Sequence, residues 1–129
     1  MSPQIPDEND QDHRITMLLS LMRGLWGEVS PTLRAASIKS ENRTIHLFFF
    51  YDGKISEEDH ESAECVATEV IADFPYHKFA IDIKRLDYPA RIPQDIGELV
   101  YRRREKNPAY YGFLGLWRRL RDFVIEKLK

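Results

Sequence analysis

Cysteine is nearly missing from this chain: Cys65 is the one thiol among 129 residues, which excludes an internal disulfide and any cysteine-rich zinc site. The six glycines are scattered. None falls into a G-x-G-x-x-G, a phosphate-binding loop or a G-x-S-x-G turn, so neither a nucleotide cradle nor a nucleophile elbow is on offer. Long apolar runs are lacking as well. The longest apolar stretch, Ile15 to Val29, is too short for a membrane span and carries Arg23 and Glu28. Neither charge sign dominates, with 19 Lys and Arg against 21 Asp and Glu and a net charge of −2, so no global field selects a partner. Asp7, Glu8, Asp10 and Asp12 stand where a secretory signal would be basic, which points to a cytoplasmic protein. With 43% hydrophobic and 31% charged residues, a chain of this length is expected to build one domain with a real core.

Residues 1–12 are polar and acidic with Pro3 and Pro6, and are expected to be disordered. From there Ile15, Leu18, Leu19, Met22, Leu25, Trp26 and Val29 follow a helical period. Met17 and Leu21 lie on the other side, so this helix is expected to be covered from two directions. Leu33–Lys39 and Thr44–Tyr51 read as two strands joined at Glu41-Asn42-Arg43. A second helix runs from about Glu57 to Phe74, opened by Ser56 with Asp59 three residues on, and stopped by Pro75. Phe79, Ile81 and Ile83 alternate with Ala80, Asp82 and Lys84 as a half-buried third strand. A proline-marked loop through Tyr88-Pro89 and Ile92-Pro93 leads to a fourth strand around Glu98–Arg104.

The expectation is an α+β domain over residues 13–106, in α-β-β-α-β-β order, with an antiparallel sheet and helices packed on it. Residues 107–129 are expected to append an amphipathic helix with the stripe Phe113, Leu116, Trp117, Leu120, Phe123, Val124 and Leu128. Strand two is apolar on both faces, with Ile45, Leu47, Phe49 and Tyr51 on one and Phe48 and Phe50 on the other. Both faces need cover, and the terminal helix is a natural lid for the second.

Enzymatic constellations are wanting. His13, His46, His60 and His77 sit on separate elements, and the His60–Glu64 helical pair has no third metal ligand. Cys65 is flanked at helical spacing by Glu61 and Glu69, whose charges disfavour a thiolate. No catalytic residue, cofactor or metal is therefore expected.

Charge placement carries more information. Seven acids (Glu57, Glu58, Asp59, Glu61, Glu64, Glu69, Asp73) and no Lys or Arg lie between Ser56 and Phe74. From Lys84 onward there are twelve basic and six acidic residues. A solvated face, favoured by acids at a helix N-terminus, is one reading of the acidic helix. A basic partner is the other, because seven like charges forgo every i,i+4 pair with lysine. The basic third has its own alternatives. Arg102, Arg103, Arg104 and Lys106 before Tyr110 and Tyr111 suit nucleic acid, and Arg118, Arg119 and Arg121 beside the apolar stripe suit an anionic membrane surface.

The stretches LLSLMRGLWGEVSPTLRAASI (18–38), YDGKISEEDHESAECVATEVIADFP (51–75) and RLDYP (85–89) resemble small bacterial immunity proteins encoded beside contact-dependent growth-inhibition and related polymorphic toxins. The resemblance covers roughly residues 14–105. It implies a non-enzymatic inhibitor that binds one cognate toxin domain in the cytoplasm, and such toxins are often nucleases with basic active surfaces. On that reading Glu57, Glu58, Glu61, Glu64 and Glu69 pair with basic residues of the toxin and Tyr76 supplies an aromatic anchor. The alternative is a nucleic-acid-binding accessory protein using the basic third. The oligomeric state is left open.

Overall fold

A computed structural model describes residues 10–106 and 119–128. Its elements are α1 (Gln11–Gly24), β1 (Leu33–Glu41), β2 (Thr44–Tyr51), α2 (Glu57–Asp73), β3 (Lys78–Arg85) and β4 (Glu98–Arg102), followed by a helix, α3, over 119–128. The fold is α+β, with a four-stranded sheet in the order β3-β2-β1-β4. β1 and β2 form a hairpin through Asn42 and Arg43, both in the left-handed region, the conformation that a two-residue hairpin turn demands.

The sheet departs from the fully antiparallel expectation at one edge. β1 pairs antiparallel with β2 and β4, whereas β3 pairs parallel with β2, from Thr44↔Lys78 to Tyr51↔Arg85. The reason is α2: a helix between two strands carries the chain back to the starting end, and the next strand then runs in the same sense. The helix α1 also starts earlier than expected. Asp10 caps it by accepting from the Asp12 N–H at 3.0 Å, so Gln11 and Asp12 belong to the helix rather than to a disordered terminus. Residues 1–9 lie outside the described residues.

Both long helices pack on one face of the sheet. There Leu33, Ile38, Ile45, Leu47, Phe49 and Tyr51 meet Met17, Leu21 and Leu25 of the α1 region and Ala63, Val66, Ala67, Val70 and Phe74 of the α2 region. Full burial of a Val, Leu or Phe side chain stabilises by about 1.5–3 kcal/mol, so this cluster holds the fold.

The buried side of α1 is not the main stripe expected from sequence. Met17, Leu21 and Gly24 face inward with His13 and Ser20, joined by Leu25 and in part by Leu18. Ile15, Leu19, Met22 and Trp26 point to solvent. Small residues decide this orientation. A Cβ on Gly24 would stand 3.2 Å from the Val66 side chain and from its carbonyl oxygen, and Ser20 Oγ donates to Asp73 at 2.7 Å. Turning the outer stripe inward would put Met22 or Trp26 where α2 now touches α1.

Of the expected terminal helix only 119–128 are among the described residues, and every one of them is exposed, so this part covers no apolar face. On the second sheet face Leu86, Ile92 and Ile96 of the β3–β4 loop pack on Ala35, Phe48 and Phe50. Tyr110, Tyr111, Phe113, Leu116, Trp117 and Arg118 lie outside the described residues.

Candidate functional site

The acidic helix sorts its charges into two groups. Asp59 is buried and accepts from Thr32 Oγ1 at 2.5 Å, while its carbonyl accepts from the Tyr51 hydroxyl. Asp73 is bound by Ser20 and by Arg23 of α1. These two acids hold the fold. The other five, Glu57, Glu58, Glu61, Glu64 and Glu69, are exposed. Of these, Glu64 has a bridge, to His60 Nδ1 at 3.2 Å. Among the described residues no Lys or Arg forms an ion pair with any of the five.

Apolar packing of Ala63, Val66, Ala67 and Val70 turns the opposite arc of α2 to solvent. Glu61, Glu64 and Glu69 thereby share, with Cys65, Thr68 and Ala72, the walls of one shallow depression of 550 Å³. Glu57 and Glu58 stand in the first turn. Tyr76 is not brought to this cluster. It is exposed past the C-terminal end of α2, roughly 25 Å along the helix from Glu57, beside a 350 Å³ cavity where His13 and His77 stack with centroids 5.2 Å apart.

No group of His, Cys, Asp or Glu among the described residues is arranged to hold a metal, and Cys65 is free and exposed. No described helix is long and apolar enough to cross a membrane. The family model of the MafI2 immunity protein matches residues 14–105. This chain belongs to the MafI2 immunity protein family. It is a non-enzymatic inhibitor that neutralises a cognate toxin, MafB. No curated protein matches the chain. The MafI2 match takes in α1 from Arg14 onward, α2 and all four strands, and it ends at Glu105, the residue that closes the main buried ion pair.

That ion pair was not foreseen from sequence. Arg34 is 1% exposed and meets Glu105 twice, Nε to Oε2 at 2.6 Å and Nη2 to Oε1 at 2.9 Å. Its Nη1 donates to the Leu86 carbonyl at 2.8 Å. Arg103 extends the network to Glu105 and Asp52, each at 2.9 Å. The network backs a cleft of 720 Å³ under the β3–β4 loop, lined also by Arg91, Ile92, Pro93 and Arg102. The sequence signal was an arginine set between Leu33 and Ala35-Ala36, in the apolar half of the first strand.

Hydrogen bonds from Arg34, then Arg103, hold the Glu105 carboxyl below the usual range. Those from Arg103 and the Tyr88 N–H do the same for Asp52. Burial, reinforced by Asp59 and Glu28, pushes the Tyr51 phenol up to about 12. The signs follow by linkage. A depressed carboxyl stabilises above its ordinary pKa of about 4 and loses that contribution as pH falls toward the folded value. A raised phenol stabilises below its ordinary value near 10 and loses that contribution as pH rises through about 12. Urea midpoints are expected to be flat through neutral pH, to fall below about pH 4 and to fall again above about pH 10. Glu105→Gln should flatten part of the acid limb; an unchanged limb would mean that Glu105 titrates as if solvated.

Proposed function

We propose that this MafI2 protein neutralises its toxin by occlusion, with the exposed acidic face of α2 laid against a basic surface of the toxin. The observation that carries the reading is the division of labour within α2. Two acids serve the fold, and five are displayed without a Lys or Arg partner among the described residues. Such an arrangement adds like-charge repulsion and forgoes pairing, and an outside cation relieves both. A nuclease is the toxin chemistry this fits best, since a surface that binds phosphates must be basic. The meeting place would be the cytoplasm of the toxin-producing cell, as in contact-dependent growth-inhibition systems.

The basic third supports a nucleic-acid reading less well. Arg103 is engaged by Asp52 and Glu105, and Arg85 by Asp87, which leaves fewer cations for phosphate.

The test is to mix the cognate toxin domain with wild-type protein and with the Glu61→Lys, Glu64→Lys, Glu69→Lys triple variant. Wild type should abolish hydrolysis of DNA or RNA at equimolar ratio. The variant should associate at least about ten-fold more slowly at low salt, with the gap closing as salt rises. Equal association rates would leave the acids as a solvated face and overturn the reading.

A further inference from the structure

We propose that the outer stripe of α1, formed by Ile15, Leu19 and Met22 and continued by Trp26, is the apolar anchor of the toxin-binding face. It rests on the reading above, that the helical layer meets the toxin, and it adds the element which the acids cannot supply.

The four side chains are 44%, 49%, 46% and 73% exposed. Their spacing of four, three and four residues is that of a helix-pairing seam. On a helical wheel Ile15, Leu19 and Met22 fall within about a 60° arc and over about 10 Å of length, centred opposite Met17 and Leu21, and Trp26 follows in the turn just past Gly24. They are not stray surface apolars but an aligned row, and among the described residues none of them belongs to a core cluster. The helix that carries the row lies beside the acidic helix. A Cβ added at Gly24 would stand 3.2 Å from Val66 and 3.6 Å from the Glu69 Cβ, and Ser20 and Arg23 bind Asp73, so the solvent-facing arcs of α1 and α2 are neighbours.

Three occupants are conceivable, and the structure favours one. The described part of the chain's own terminal helix is exposed throughout, its apolar residues included. A second copy paired two-fold through antiparallel α1 helices would bring both α2 helices to the same side, setting five exposed acids against five. A parallel pairing would juxtapose the Asp10 and Asp12 ends and align the helix dipoles unfavourably. A basic toxin surface carrying an apolar ridge or groove meets the row and the acids together. Desolvated aromatic and aliphatic centres govern dissociation, and charged rims govern association. Trp26 is the residue of the row best suited to such a centre.

Kinetics separate the two contributions. Trp26→Ala and Leu19→Asp are each expected to speed dissociation of the toxin domain by about ten-fold or more, with association within about two-fold of wild type. The Glu61, Glu64 and Glu69 lysine variant should show the reverse pattern. All these residues are exposed, so melting temperatures should stay near wild type. If Leu19→Asp lowers the melting temperature, Trp26→Ala, beyond the end of α1, decides alone. Unchanged dissociation in Trp26→Ala, with binding lost in the lysine variant, would overturn the anchor and leave the acidic reading standing. No effect from either set would overturn both. A wild-type dimer by light scattering that Trp26→Ala converts to monomer, with toxin binding intact, would assign the row to self-association and overturn the proposal.

Discussion

Replacing Arg34 by methionine is expected to lower the unfolding free energy by about 3–5 kcal/mol, the cost of leaving one member of a buried ion pair without its counterpart. The methionine keeps most of the apolar stem. The loss therefore comes from Glu105, which is 6% exposed and keeps only Arg103, and from the Leu86 carbonyl, which loses its donor. The double variant Arg34→Met, Glu105→Leu should recover a large part of the loss, because an apolar pair in the same space has no charge to desolvate. Urea unfolding of the single and double variants gives the coupling energy directly. A loss below about 1 kcal/mol in Arg34→Met would show that water reaches the pair, since exposed bridges contribute no more than that. The position of Arg34 also ties this prediction to the strand's geometry. The β1–β2 register shifts between Leu33 and Ala35, so Leu33 faces the helices while Arg34 reaches the loop side with Ala35. A bulge re-aims a side chain in this way.

The second large effect is expected at Gly97. Its φ is +78°, and a Cβ there would lie 2.4 Å from the Ile38 carbonyl oxygen and 2.6 Å from the Lys39 Cβ. Gly97→Ala combines left-handed strain with a clash against the neighbouring strand, together about 2–5 kcal/mol. Gly27 has the same φ with nothing within 4 Å. Gly27→Ala therefore isolates the backbone term and should cost about 1 kcal/mol. Because β4 joins β1 at Ile38↔Glu98, the clash should loosen β4 first. Faster amide exchange at Leu99 to Tyr101 would report it. Equal losses in the two variants would mean that the strand yields without consequence.

Much of the fold is written in local pattern. The apolar run Thr44–Tyr51 over a tight turn, the Ser56 cap, the stripe from Ala63 to Phe74 and the Pro75 stop each specify one element without help from the rest, because period and capping act within a few residues. The acidic face of α2 was legible for the same reason: once the apolar arc is known, the charged arc is its complement.

Three features needed the folded chain. The parallel β2–β3 pairing depends on where α2 delivers the chain, not on the composition of either strand. Cover for Phe48 and Phe50 comes from a loop, whose Leu86, Ile92 and Ile96 carry no periodic signal. Most important for function, α1 has apolar residues on both sides, so its sequence permits either to be buried. The choice was made by contact: Gly24 and Ser20 are small enough to let α2 approach, which turned Met17 and Leu21 into the core and left Ile15, Leu19, Met22 and Trp26 facing water.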